Sequence, residues 1–511
     1  MPASPDDSVP ASPNDPQVGG ARGGVVGTPP LTGITPPLKV IVVGGGIAGL
    51  AAAHRLVERC RELGRPLALT LCEAAGRLGG TIRTERTDEG FLIEAGPDSF
   101  ISEKPWALAL VERIGLGSRL RLTDDRRRRT YVVRGPRLHP LPDGFLLLAP
   151  VRLAPFVGSP LFSWRGKLRM ALDLVLPRRH GDGDESLASF VTRRLGREAL
   201  ERVAEPLVAG IYTAAPERLS LAATMPRFLA LERQHRSLIL GLRRSVAARE
   251  VQGASGPRWS LFVTLAGGMS ELVEALAARL PAGSVRLSSA VATVAGGNGV
   301  GRWQVRLDDG TILPADGVIL AGEAPRMAPI LRERDPELAR LLDGIRYASS
   351  ATVTLAYRRA AIRHPLDGFG FVVPRSEGRA VLACTFSSVK YPGRAPEGSA
   401  LLRAFLGGAR ADAILEHDDA ALARLAEGEL AGLLEIEGPP ILTRVARHPA
   451  AMPQYEVGHL DRVAAMEARL TDWPGVALAG SAYRGVGIPD CIHSGEDAAG
   501  RVLAVLAPPG A

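Results

Sequence analysis

Gly44, Gly45, Gly46, Ile47, Ala48 and Gly49 spell G-x-G-x-x-G directly after the apolar, β-branched run LKVIVV. They also open IAGLAAAHRLVERCREL, whose apolar residues recur at helical spacing until Gly64. In that setting each glycine has its own role, because Gly44 allows a tight turn, Gly46 lets a pyrophosphate approach the backbone, and Gly49 lets helix and strand pack closely. The exposed N–H groups and the positive end of the helix then face the phosphates. After a second apolar run, LALTLC, comes Glu73, where a carboxylate can accept hydrogen bonds from both hydroxyls of a ribose. The order strand, turn, helix, strand, acid is a dinucleotide-binding β-α-β unit; a ligand-free glycine turn is the bland alternative.

The dinucleotide is NAD or FAD, and the continuation favours FAD. GRLGGTIRT follows at Gly76 to Thr84 and GFLIEAGPDSF at Gly90 to Phe100. A second glycine cluster just after the ribose acid gives a long cofactor a second close approach to backbone, and Arg77 can meet a phosphate oxygen.

With these segments the chain resembles the flavin-containing amine oxidase superfamily, and within it the oxygen-dependent protoporphyrinogen and coproporphyrinogen oxidases. The narrower likeness rests on GPDSF at Gly96 to Phe100, EPLVAGIYTAAPERLS at Glu205 to Ser220, GGMSEL at Gly267 to Leu272, MPQYEVGH at Met452 to His459 and AGSAYRGVGIPDCIHSG at Ala479 to Gly495. It covers nearly everything from Lys39 onward. The resemblance implies FAD contacts at the six residues Gly44 to Gly49, at Glu73, Ala74, Arg77, Gly80 and Thr81, and at Gly96, Pro97, Asp98 and Ser99. Further contacts fall on Val291, by its backbone at the adenine edge, and on Val486, Gly487 and Ile488, where a helix N-terminus could stabilise negative charge at the reduced ring. Family members carry Trp beside Arg before the PQY element, whereas this chain has Arg447-His448, so His448 is read as a stand-in or a surface residue. Some relatives place an arginine for a substrate propionate just after the GP segment; Ile101 to Lys104 offer none.

The implied reaction takes six hydrogens from a porphyrinogen in three hydride transfers to flavin N5, with molecular oxygen as acceptor and peroxide as product. It needs no protein nucleophile and no metal, and no side chain is assigned as catalytic. Both protoporphyrinogen IX and coproporphyrinogen III stay open, with GPDSF and the missing membrane anchor leaning toward the second. A flat apolar pocket is expected between the flavin domain and a second sheet, with Tyr347 and Leu366 to Phe371 as lining. Arg197, Arg202 and Arg346 are candidates for the carboxylates, against the reading that they form helix-surface salt bridges. The rivals are an amine oxidase or carotenoid desaturase on the same fold and, in another class, a non-catalytic prenyl-GTPase escort.

The elements that must position these residues point to an α/β fold. A discontinuous Rossmann-type FAD-binding domain is expected over 39–123, 260–325 and 474–511, and a mixed-sheet substrate domain over 326–473. A mostly helical insertion is read over 124–259, and residues 1–38, dense in Pro and Gly, are read as a disordered extension. The final helix is placed from about Ser494 to Leu506. With 511 residues, 46% of them hydrophobic, the chain can bury two or three interleaved cores. Its net charge of +8 is carried almost wholly by dispersed arginine, with no aromatic-interleaved basic stripe, which argues against nucleic acid. Four separated cysteines give no metal-ligand spacing, and residues 1–38 lack a secretory pattern, so a reduced, cytoplasmic setting is expected. No run is long and apolar enough to span a membrane. Apolar segments at Phe145 to Val157 and Leu161 to Leu176, studded with Arg165, Lys167 and Arg169, suit either a membrane interface or a buried core. A homodimer stays open.

Overall fold

The computed structural model describes residues 36–146, 148–181, 183–251, 261–296, 303–408 and 412–507. Residues 1–35, on which most of the expected extension falls, lie outside them, as does 252–260 at the end of the expected insertion.

The strand Leu38–Val43 is apolar at nearly every position because it lies at the centre of a five-stranded parallel sheet covered on both faces. Val40 and Val42 point into a core shared with the helices Ile47–Glu62 and Ile488–Leu506, whereas Ile41 and Val43 point into a second core. Leu67–Cys72 pairs on one side and Gly317–Leu320 on the other, and Val285–Arg286 and Val476–Leu478 form the edges. Four distant stretches of chain therefore meet in one sheet. The second core also takes in the helices Ala324–Leu331, Pro336–Asp343 and His459–Leu470.

A second sheet has seven strands, ordered Leu442–Pro453, Tyr347–Arg358, Ser399–Gly407, Val381–Phe386, Gly370–Val372, Thr130–Arg134 and Arg137–Pro140. All neighbours are antiparallel except Gly370–Val372 with Thr130–Arg134. Strand alternation divides its faces. Ala351, Val353, Leu355, Leu402 and Ala404 pack on the helix Asp419–Leu434. Thr352, Thr354, Arg403 and Phe405 point the other way.

Two expectations need correction. The stretch from Asp124 read as mostly helical opens with the hairpin Thr130–Arg134 and Arg137–Pro140, closed at Gly135 (φ +59°), which completes the large sheet. Helices fill the part from Leu153 onward, around a core that includes Phe156, Phe190 and Phe228. The final helix begins at Ile488 rather than Ser494, because Pro489 sits in its first turn, where a missing N–H costs nothing. Val285–Arg286 joins the parallel sheet, while Val291–Gly296, a few residues on, belongs to a separate three-stranded sheet.

Candidate active site

Two glycines of the first turn serve packing. Gly44 has φ +103°, and a Cβ there would lie 2.8 Å from the Ala321 carbonyl oxygen; at Gly49 it would lie 1.8 Å from the Gly44 oxygen. Gly46 differs, for a Cβ there would meet nothing within 4 Å. Its open side is shared with Gly80, whose added Cβ would stand 3.4 Å from the Gly46 Cα. The Gly79 N–H donates to the Gly45 carbonyl at 2.8 Å, so the two glycine segments are walls of one groove. Ile47 and Ala48 are buried behind it, while Ala74, Gly80 and Thr81 are exposed along it. No acidic side chain occupies the first turn of Ile47–Glu62, so its positive end is unquenched.

Glu73 is held by the groove itself: Oε2 accepts from the Gly45 N–H at 2.6 Å and Oε1 from the Ala75 N–H at 2.8 Å. Each oxygen retains a lone pair for a hydroxyl donor. Ser289 and Ser288 donate their N–H groups to the Glu73 and Ala75 carbonyls, at 2.9 and 3.0 Å, which brings the chain just before Val291 to this end of the groove. Arg77 spends both terminal nitrogens on its own loop, donating to the carbonyls of Leu78 (3.0 Å), Ile82 (3.1 Å) and Gly80 (2.5 Å). Its evident work is to shape the second glycine turn.

The Gly96 segment docks on the polar face of the large sheet. A Cβ at Gly96 would fall 1.8 Å from the Thr81 oxygen, so glycine is required there. The preceding Ala95 carbonyl accepts from three strands at once: His448 Nε2 at 2.9 Å, Arg403 Nη2 at 3.1 Å and Thr352 Oγ1 at 3.4 Å. Since a carbonyl only accepts, His448 carries its proton on Nε2, and burial lowers its pKa, keeping it neutral. It is half-buried and bonded, so of the two readings, stand-in or surface residue, the second does not hold. Beside it, burial pushes the Asp98 carboxyl up, but Lys390, Arg403 and Arg394 outweigh that and bring it to about 2. Ser99 Oγ donates to Asp98 at 2.6 Å, with Pro97 half-buried next to them. Deeper still, Arg394 donates to Glu94 at 2.8 Å and to Thr264 at 2.7 Å.

The third segment is the C-terminal turn. Gly487 caps Ile488–Leu506, and Val486 packs on the helical layer. Asp490 lies in the helix's first turn, and Lys104 binds both of its oxygens, at 2.6 and 2.7 Å. Trp106 stacks on His493 at 4.1 Å, and Ser494 Oγ accepts from the Gly480 N–H at 3.0 Å.

The remaining candidates fall in different places. Leu366 and Phe371 are buried in the core beneath the opposite sheet face and line no slot, and the Tyr347 hydroxyl accepts from the Ala324 N–H at 3.0 Å. Arg197 pairs with Glu201, Arg202 with Glu198 and Arg346 with Glu456, the salt-bridge alternative in each case. Burial pushes the Cys491 thiol up to about 12, so this cysteine of the C-terminal turn is no thiolate at neutral pH. Sequence reasoning missed Lys390, Arg394 and Arg403 entirely. Tyr455 and His459 stood in a recognised motif without a role.

An open cradle at Gly46 and Gly80, a helix N-terminus and a backbone-oriented carboxylate fit a long dinucleotide, and with a mixed sheet across the groove they define a flavin-dependent oxidoreductase. The pattern of flavin-containing amine oxidoreductases matches residues 47–503, and the chain belongs to that family, with FAD as its cofactor. Coproporphyrinogen III oxidase of Bacillus subtilis (strain 168) is 37% identical over 91% of this chain and 98% of its own. Protoporphyrinogen oxidase of Bos taurus is 34% identical, covering 91% of this chain and 98% of its own. A solved protein from Exiguobacterium sp. 255-15 superposes with a TM-score of 0.79 at 31% identity, over 91% of this chain and 98% of that one.

Proposed function

We propose that this chain oxidises a porphyrinogen to a porphyrin in haem biosynthesis, with coproporphyrinogen III as the favoured substrate and oxygen as the electron acceptor. The observation that carries the reading is the juxtaposition of the cofactor groove, the C-terminal turn and the polar sheet face, in a chain whose relatives are named for this reaction. The balance is three two-electron steps: six hydrogens leave the porphyrinogen and three oxygen molecules become three of hydrogen peroxide. When bound, FAD supplies the hydride-accepting chemistry that side chains lack. The chain's own residues bind and orient. Glu73 takes the ribose hydroxyls, Gly46 and the first helix N-terminus take the phosphates, and the remaining proposed contacts at Ala74, Arg77, Thr81, Gly96 to Ser99, Val291 and His448 fix the cofactor's length. Val486, Gly487 and Ile488 set the second helix N-terminus against the ring. The test is aerobic turnover of coproporphyrinogen III and protoporphyrinogen IX, followed by porphyrin fluorescence and peroxide against an enzyme-free control. Faster oxidation of coproporphyrinogen III is expected; a flavin-loaded protein that accelerates neither but turns over an amine or a polyene would overturn the reading.

The helical layer also carries a surface for lipid. Trp164, Leu168 and Val175 are 68, 68 and 65% exposed and, with Leu172, form a stripe along Trp164–Ala171 and the turn after it. Lys167 donates to the Val157 carbonyl at 2.6 Å, which sets exposed Leu153 and Val157 of the neighbouring helix beside that stripe, and Arg152, Arg165, Arg178 and Arg179 are exposed around it. No helix among the described residues is long and apolar enough to cross a membrane. An apolar stripe rimmed by arginine instead suits shallow insertion into an anionic interface. Sedimentation with phosphatidylglycerol vesicles at low salt should retain the protein, and the double substitution Trp164→Ser, Leu168→Ser should weaken retention at least tenfold. Wild-type protein left in the supernatant would exclude this contact.

A further inference from the structure

The loop between Gly480 and Gly487 buries Ala482 and Tyr483 in one core and packs Val486 on another, but its backbone, with Gly480 and Gly485 at φ of +122° and +148°, needs fixing as well. Two side chains from the segment Met452 to His459 do the fixing. The Tyr455 hydroxyl donates to the Ser481 carbonyl at 2.6 Å and accepts from the Gly485 N–H at 2.8 Å. His459 Nε2 donates to the Tyr483 carbonyl at 2.9 Å. The two rings stack on each other at 4.0 Å and 13°, and only 1 and 3% of the two residues remains exposed. Three backbone groups within five residues are thus tied to one rigid aromatic pair. Burial lowers the His459 pKa, so the ring is a neutral donor. From the other side, Lys104 and Trp106 hold Asp490 and His493. Lys104 also offsets the Asp490 charge, which would otherwise quench the positive end of the helix.

We propose that Tyr455 and His459 are positioning residues that aim the N-terminus of the helix Ile488–Leu506 at the FAD site and thereby set how strongly the two-electron-reduced cofactor is stabilised. The inference rests on the cofactor reading above and extends it to residues that touch no reacting atom. Neither group can be replaced by water, because the pair is buried, and loosening either one frees the turn that carries Val486 and Gly487.

The test is the reduction potential of the flavin in the holoprotein, read by equilibration with a reference dye, together with the FAD dissociation constant. Tyr455→Phe deletes one hydroxyl and keeps the stack; His459→Phe deletes the donor and keeps a ring; His459→Gln restores an N–H donor. The first two should lower the reduced-to-oxidised ratio at fixed dye potential about tenfold, roughly 30 mV for a two-electron couple, and the glutamine variant should recover most of it. If both phenylalanine variants lose thermal stability while potential and FAD affinity stay at wild-type values, the residues are merely structural and the proposal fails. Should His459→Phe not fold, Tyr455→Phe alone decides, since it removes a single oxygen. Wild-type protein that binds no flavin would instead refute the cofactor reading, a separate failure.

Discussion

Gly46→Val should yield a folded, colourless protein. At Gly44 and Gly49 any side chain collides with backbone, so substitutions there confound folding with binding. Gly46 is free of that ambiguity: its missing Cβ faces open space, and its φ is negative (−71°), so valine suffers no left-handed strain. What the branched side chain would fill is the approach to the helix N–H groups, where the phosphates belong. FAD affinity should fall at least a hundredfold, roughly 2.7 kcal/mol, as read by flavin absorbance after purification and by fluorescence titration. The unfolding midpoint of the cofactor-free protein should match that of cofactor-free wild type. A yellow Gly46→Val protein with ordinary affinity would move the phosphates away from this turn.

A large loss of stability is expected at Arg394. Its guanidinium is 3% exposed, pairs with an equally buried Glu94 and also binds Thr264. Glu94 in turn accepts from Thr84 Oγ1 and the Met269 N–H, so one buried ion pair ties together the strands Leu92–Glu94 and Phe262–Leu265 and the start of the helix Ser270–Ala277. Burial already pushes the Glu94 pKa up, and Arg394 pulls against it. Arg394→Met removes that counter-charge and should cost about 3–5 kcal/mol, measured as a shift in the denaturant midpoint. The exposed pair Arg444 with Glu85 is the internal contrast: Arg444→Met should cost under about 1 kcal/mol. Equal losses for the two would mean that Glu94 finds other partners.

The difference between these residues explains what the chain order disclosed. The dinucleotide turn was legible because its demands are local: a strand, three glycines and a helix follow one another, and Glu73 comes one strand later. Arg394, Arg403 and Lys390 were not, because their meaning comes from Glu94, Ala95 and Asp98, about three hundred residues away, and nothing beside them in sequence marks a buried arginine. The hairpin Thr130–Pro140 was misread for a like reason: its sheet partner, Gly370–Val372, lies far along the chain. The helix N-terminus expected at Val486 to Ile488 is where the final helix starts; its body was placed only from Ser494 because Pro489 reads as a breaker unless it falls in a first turn. Leu366 and Phe371 have the right character for a flat pocket, but strand register placed Phe371 on the covered face, with Leu366 of the preceding loop in the same core, and register is set by pairings no local pattern reveals.

The parallel sheet that joins Leu38–Val43 to Val476–Leu478 also constrains how the protein can be made. At roughly 5–20 residues per second of synthesis, the first glycine turn leaves the ribosome tens of seconds before the strand and helix that complete its sheet and cleft. Gly317–Leu320, once made, has an unpaired edge until Val476–Leu478 follows, and the helix Ile47–Glu62 lacks Ile488–Leu506 as its packing partner, so the nascent chain has no finished cofactor cleft. Closure of the cleft therefore waits for the last strand and helix of the chain, Val476–Leu478 and Ile488–Leu506.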